Sequence, residues 1–296
     1  MKNAFRLIIA LAVFAGAFGV CGAAIQKEHR RSPYVGAIAV DASNGRVLFS
    51  DSADRECYPA SCTKLMTARL LLKAIDEGKL GPNERIVQSK RSAREQPSHI
   101  GLLPGESMSI DEALKSLILK SANDIAVAIA ERIGGSVEVF VGMMNEEARL
   151  LGMDSTTFAS PNGLPPPQGS PRGFDRSTAS DLAKLGVAIV NEQPKLLEYT
   201  RLPFATVTGS KGVSVSIMNH NNLLNKDARS WRRDVKVAEV DGLKTGYIDA
   251  GGSSVVVTGT RAGKRAVVVV VGSASAQERD QNASRMILDA LGALAW

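Results

Sequence analysis

A serine hydroxyl is a poor nucleophile until a base removes its proton, and a lysine held neutral can be that base. Ser61-Cys62-Thr63-Lys64 supplies both groups at the predicted start of a helix. Spacing of i to i+3 puts the two side chains on one helical face, with Cβ atoms about 5–6 Å apart. The positive end of the helix dipole disfavours a protonated Lys64 and stabilises negative charge near Ser61. No other serine in the chain has a lysine three residues on. Lys244-Thr245-Gly246 is a second constellation. A cation and a hydroxyl on an exposed strand can hold a carboxylate, and the glycine lets a substrate backbone lie close. Ser121-Ala122-Asn123 is a third, in which the serine could relay protons and the amide could fix a peptide group. Ser160-Pro161-Asn162 has the same Ser-x-Asn pattern, but beside Gly163 in a Pro-rich stretch it reads as a turn.

These groups need elements to hold them. Tyr34 to Val40 and Arg46 to Ser50 read as strands joined by the turn Asp41-Ala42-Ser43-Asn44-Gly45. Ser61 to Ile75 has apolar residues at helical spacing and stops at Gly78. A second helical block opens on the capping box Ser109-Ile110-Asp111-Glu112, breaks around Ser121 and resumes from Ile125 to Ile133 before Gly134-Gly135. Ser136 to Leu151 and Ser180 to Val190 are further helices, and Ser160 to Gly173 is predicted to be a long surface loop. Ser253 to Thr258 and Ala266 to Val271 form a second hairpin, and Ala276 to Leu294 is a closing helix with Ile287, Leu291 and Leu294 on one face. Strands at both ends around a helical middle predict one sheet built from the two termini, with a helical lobe inserted between them.

The 296 residues carry a net charge of +6 with 44% hydrophobic and 22% charged residues, an ordinary globular composition. That excess is too dilute for nucleic-acid binding, so no nucleic-acid partner is expected. His29, His99 and His220 and Cys21, Cys57 and Cys62 show no zinc-ligand spacing, so no metal and no cofactor are expected. Lys2 and Arg6 precede an uncharged apolar run from Leu7 to Val20 and the small residues Gly22, Ala23 and Ala24. Residues 1–24 therefore read as a cleaved secretory signal, with an uncleaved N-terminal anchor as the competing reading. Cys21 invites a lipoprotein reading, but Phe18-Gly19-Val20 is not the Leu-small-small pattern that such processing prefers. Residues 25–296 form the remaining domain, expected to be exported to the periplasm or another extracytoplasmic space without a firm membrane anchor.

Ser-x-x-Lys, Ser-x-Asn and Lys-Thr-Gly in this order resemble the penicillin-binding proteins and class A β-lactamases. Tyr58 to Ala68, Lys120 to Ala128, Val240 to Tyr247, Leu151-Gly152-Met153, Phe158 to Leu164 and Ser177 to Leu182 narrow this to a resemblance to the low-molecular-mass D-alanyl-D-alanine carboxypeptidases. The resemblance runs from about Pro33 to the C-terminus. It implies an α/β (α+β) fold of the β-lactamase/transpeptidase-like class, an antiparallel sheet flanked by helices with an inserted all-helical lobe. It implies Ser61 as the acyl-enzyme nucleophile, Lys64 as general base and Ser121 as proton relay. Asn123 would orient the substrate amide, Lys244, Thr245 and Gly246 would bind the substrate's terminal carboxylate and backbone, and the backbone N–H groups of Ser61 and Tyr247 would form the oxyanion hole. Peptidoglycan stem peptides are the implied substrates, and β-lactams the implied covalent inhibitors.

Many of these carboxypeptidases carry a second β-rich domain and an amphipathic C-terminal anchor, and neither is expected here. With Arg285 the only base after Arg279, the last helix reads as core-packing. Cys57 and Cys62 are either buried thiols or a disulfide tethering the active-site helix. The loop position before Gly163-Leu164, filled in the family by His or Asn, is Asn162. His99 and His220 receive no role, and Arg229, Trp231, Arg232 and Arg233 read as a solvated loop. The alternatives to a carboxypeptidase are a DD-endopeptidase cutting cross-links, a β-lactamase, and a non-catalytic cell-wall binder. The absence of a Glu-x-x-x-Asn element between Ser121 and Lys244 weighs against the β-lactamase, and an intact Lys64 against the binder.

Overall fold

The computed structural model describes residues 34–81, 83–224 and 234–295. The predicted signal segment, Cys21, His29 and the Arg229 to Arg233 cluster lie outside the described residues. Five antiparallel strands form the main sheet: β1 (Gly36–Asp41), β2 (Val47–Asp51), β7 (Val240–Ile248), β8 (Gly252–Arg261) and β9 (Lys264–Ser273), in the order β2-β1-β9-β8-β7. Strands from the two ends of the chain meet where β1 pairs with β9, Ala37 opposite Val270 and Ala39 opposite Val268. Val267 to Val271 in β9 are all fully buried. The run is continuous rather than alternating because both faces of this central strand are covered, and each such side chain contributes about 1.5–3 kcal/mol on burial.

Helix α7 (Ala276–Leu294) covers one face, packing Ala283, Met286, Ile287, Ala290, Leu291 and Leu294 on Val255, Val257, Val268 and Val270. On the other face lie α1 (Lys64–Asp76) and α5 (Ala179–Glu192), whose Leu65, Leu182 and Ile189 share a core with Val256, Val267 and Val269. That core continues into the helical lobe of α2 (Ile110–Lys115), α3 (Asn123–Gly134) and α4 (Val137–Leu150). The short helix α6 (Leu197–Thr200) follows α5. Two small hairpins complete the fold, β3 (Arg85–Val87) with β4 (Ser107–Ser109), and β5 (Phe204–Thr208) with β6 (Ser214–Met218). Among the described residues no helix is long and apolar enough to cross a membrane.

The Ser109–Glu112 capping box forms as predicted: Ser109 Oγ accepts from Glu112 N, and Glu112 Oε2 accepts from Ser109 N. A buried charge network, not visible in the apolar pattern of α1, ties that helix to the lobe. Arg69, 5% exposed, donates to Glu147 Oε1 on α4 (2.9 Å) and to Glu192 Oε2 at the end of α5 (2.6 Å). Lys73 Nζ also donates to Glu147 Oε2 at 2.7 Å. Burial alone would raise the Glu147 pKa, but the bonds from Lys73 and Arg69 hold it below its ordinary value. Arg69→Met is expected to destabilise the fold by about 3 kcal/mol, the low end for breaking a buried pair, because Lys73 still neutralises Glu147. Urea midpoints measure this. The difference from wild type should shrink as pH falls through the range in which the stranded carboxyl protonates.

Candidate active site

Ser61 sits in a single 3-10 turn (Ala60–Thr63) that feeds directly into α1, so Lys64 is the first residue of the helix. Ala60 takes φ +49°, a left-handed conformation that costs a non-glycine residue about 1–2 kcal/mol. Two glycines allow other segments to close on this turn. A Cβ on Gly246 of β7 would lie 2.7 Å from the Pro59 carbonyl oxygen and 3.1 Å from Ser61 N. One on Gly163 (φ +80°) would collide with the Ala60 carbonyl. The edge strand and the Pro-rich loop can therefore reach the nucleophile only as glycine.

The helical block breaks where the sequence predicted. A π-helical turn (Ser116–Lys120) runs into Ser121 in left-handed conformation (φ +60°, ψ +37°), and α3 starts afresh at Asn123. A cleft of about 340 Å³ is lined by Ser61, Ser121, Asn123, Thr245, Gly246 and Tyr247, which brings six of the eight predicted site residues together. The other two, Lys64 and Lys244, are buried and do not line it. A larger hollow of about 720 Å³, between α1, α3 and α4, contains none of the eight.

Lys64 Nζ has three oxygens around it: Ser61 Oγ at 2.9 Å, Asn123 Oδ1 at 2.7 Å and the Asn162 carbonyl at 2.7 Å. The two carbonyl-type oxygens can only accept, so they fix two N–H bonds. In the neutral amine the lone pair then faces the Ser61 hydroxyl. Burial first, and then Lys244, push the Lys64 pKa well below its ordinary value, against the pull of Asp175, Cys62 and Glu95. Lys244 Nζ donates to the Thr245 carbonyl at 3.0 Å, and burial, with Arg279 adding and Cys62 opposing, pushes its pKa down to about 8. Lys244 is thus a buried cation on the face of β7 that meets the Ser61 turn, where the sequence reading expected an exposed one. Ser121 Oγ is buried without a hydrogen-bond partner. Asn123 spends its oxygen on Lys64 and one N–H on the Pro97 carbonyl, leaving one N–H for a ligand.

The loop expected to lie on the surface does so only in part. Ser160, Pro161, Asn162 and Gly163 are buried, and the exposed section begins at Pro165. Asp175 pins it, accepting from Thr63 Oγ1 (2.8 Å), Ser160 Oγ (3.0 Å) and Ala159 N (2.7 Å), while Thr67 Oγ1 donates to the Pro161 carbonyl at 2.6 Å. Asn162 is a turn, as predicted, but also supplies the carbonyl that holds Lys64. Cys57 and Cys62 are free, buried thiols, with burial pushing their pKa values up to about 12 and about 11.

Residues 27–275 match the D-alanyl-D-alanine carboxypeptidase family. The chain belongs to this family. It is 32% identical over 256 residues to the D-alanyl-D-alanine carboxypeptidase DacF of Bacillus subtilis, covering 85% of this chain and 60% of that protein. It therefore spans about three fifths of the length of the first curated relatives it matches. Among solved structures it is similar to the D-alanyl-D-alanine carboxypeptidase of Mycobacterium tuberculosis, with TM-score 0.75 and 27% identity over 88% of this chain and 92% of that one. It is also similar to penicillin-binding protein D2 of Listeria monocytogenes in its ampicillin-bound form, with TM-score 0.70 and 29% identity over 88% of this chain and 97% of that one. The penicillin-binding-protein fold expected from the sequence is thus the fold of the molecule.

In this member of the family the cleft holds two residues that the sequence reading left without a role. Arg279, 5% exposed, enters it from the first turn of α7, held by Asp280 Oδ1 at 2.8 Å. In sequence it is one charge between Glu278 and Asp280, and only the docking of α7 on the sheet brings it into the cleft that Ser61 lines. His220 also lines the cleft; the residue as a whole is exposed, but partial desolvation and then the cations Lys244, Lys120, Arg279 and Lys64 lower its pKa to about 4. It is neutral at working pH.

Proposed function

We propose that the protein is a serine-type D-Ala-D-Ala carboxypeptidase that trims the terminal D-alanine from peptidoglycan stem peptides outside the cytoplasm. One observation carries this reading: a desolvated lysine whose N–H bonds are tied to two carbonyl-type oxygens and whose third neighbour is the hydroxyl of Ser61. Lys64 takes the Ser61 proton as Oγ attacks the carbonyl of the penultimate D-alanine. The backbone N–H groups of Ser61 and Tyr247 receive the oxyanion. Ser121, with its hydroxyl uncommitted, passes the proton to the leaving amine, and the remaining N–H of Asn123 orients the substrate amide. Water, deprotonated by Lys64, then releases the acyl group. Thr245 and Arg279 face the departing carboxylate in the cleft, Gly246 leaves room for the substrate backbone, and the buried charge of Lys244 acts without lining the cleft.

A stem pentapeptide with a free C-terminus should release D-alanine about 10- to 150-fold faster than its C-terminal amide, the value of one charge-assisted hydrogen bond formed in the transition state. The kcat/KM for the acid should fall as pH rises through about 8, where Lys244 loses its proton, and the amide should show a smaller fall. Equal rates on acid and amide would remove the carboxylate site. Faster cleavage of purified cross-linked muropeptides would make the enzyme an endopeptidase.

Among the described residues no aspartate or glutamate lines the cleft, so none of them stands ready to activate water against a penicilloyl ester. A penicillin also keeps its leaving amine tethered to the acyl group. The penicilloyl-enzyme is expected to outlast the natural acyl-enzyme many times over, as timed by loss of a fluorescent penicillin label. Rapid catalytic hydrolysis of penicillin would favour a β-lactamase instead. Export rests on the reading of residues 1–24 as a leader, and N-terminal sequencing of the protein recovered from whole cells tests it.

A further inference from the structure

Beside the cleft lies a second hollow of about 440 Å³, whose walls include Arg91, Arg94, Glu95, Asn162, Leu164 and Arg172. Leu164 lines both cavities. Gln96 lines the hollow and the next residue, Pro97, lines the cleft, so the two are neighbours. Asn162 connects the hollow to the chemistry: its carbonyl accepts from Lys64, and its side chain donates to Glu95 Oε2 at 3.0 Å.

The hollow is cationic. Arg172 donates to the carbonyls of Ala159 (3.3 Å), Leu164 (3.1 Å) and Pro165 (2.8 Å), none of which cancels its charge. Arg91 meets Glu138 at 2.9 Å in an exposed pair, which is weak and exchanges readily. Arg94 is exposed on the rim. Against these three guanidiniums stands one wall carboxylate, Glu95, whose pKa burial pushes up, toward the neutral form, despite the bond from Asn162.

We propose that this hollow is an acyl-side subsite that binds a carboxylate on the stem peptide upstream of the scissile bond. The proposal rests on the carboxypeptidase reading above. The departing D-alanine occupies the end of the cleft at Thr245 and Arg279, so the acyl half of the peptide must leave Ser61 in another direction, and Leu164 joins the cleft to this hollow. A stem peptide has an anionic group suited to it, the free α-carboxylate of the γ-linked D-glutamate, two residues before the acylated D-alanine. Two residues of extended chain reach about 7 Å.

The test uses two stem pentapeptides that differ only in this glutamate, with its α-carboxylate free or amidated, and reads the ratio of their kcat/KM values within each protein. A general loss of activity cancels in that ratio. The wild type is expected to prefer the free acid by about 3- to 10-fold, the preference shrinking as salt is added. The double variant Arg91→Glu, Arg94→Glu should bring the ratio to one or below. A wild-type ratio near one, or an unchanged ratio in the double variant, would overturn the subsite while leaving the carboxypeptidase in place. Failure to release D-alanine from either peptide would overturn both.

Discussion

Ser61→Ala is expected to abolish covalent labelling by a fluorescent penicillin and to lower D-alanine release from a stem pentapeptide by about 10³-fold or more. The change deletes one oxygen. It leaves the 3-10 turn, the Gly246 contact and the oxyanion donors in place, so the residual rate reports binding and electrostatics alone. The Ser61 residue is only half-buried and its Oγ meets Lys64 Nζ, which predicts a fold as stable as wild type by thermal unfolding. Labelling of the variant at the wild-type level would remove Ser61 as the nucleophile. Peptide mapping of labelled wild type should return the segment around Tyr58 to Lys64.

Lys64→Arg should stop acylation to a similar degree. A guanidinium keeps the positive charge and the hydrogen-bonding capacity but does not deprotonate in proteins, so no lone pair faces Ser61. Lys64 is fully buried and a guanidinium is bulkier than an ammonium, so Lys64→Met serves as the companion variant, close in length and neutral. Both should fail to acylate, and Lys64→Met should retain the native near-ultraviolet dichroism. In the wild type the acylation rate should rise with pH through a value well below the ordinary lysine range, because deprotonation creates the base. Either variant acylating at close to the wild-type rate would place the base elsewhere.

Residue types and local pattern alone were enough to identify the nucleophile and base, since Ser61 and Lys64 lie three residues apart and helix geometry puts them side by side. The break at Ser121, the capping box at Ser109 and the two terminal hairpins were legible for the same reason: each depends on neighbours a few residues away. The run from Ala266 to Val271 showed one arm of a hairpin, though not that both faces of this strand would be covered. What only the tertiary structure decided involves residues far apart in the chain. The carbonyl of Asn162 reaches Lys64 across 98 positions, and nothing in a backbone oxygen is visible in a sequence. Arg279 reads as a surface charge on an amphipathic helix until α7 packs on the sheet and turns it into the cleft. The position of Lys244 was likewise set by packing: in sequence it is a strand cation free to meet solvent, whereas β7, closed against the Ser61 turn through Gly246, leaves it 2% exposed and lowers its pKa. Spacing determined which groups could react, and the desolvation that tunes them came from elements that meet only in the folded chain.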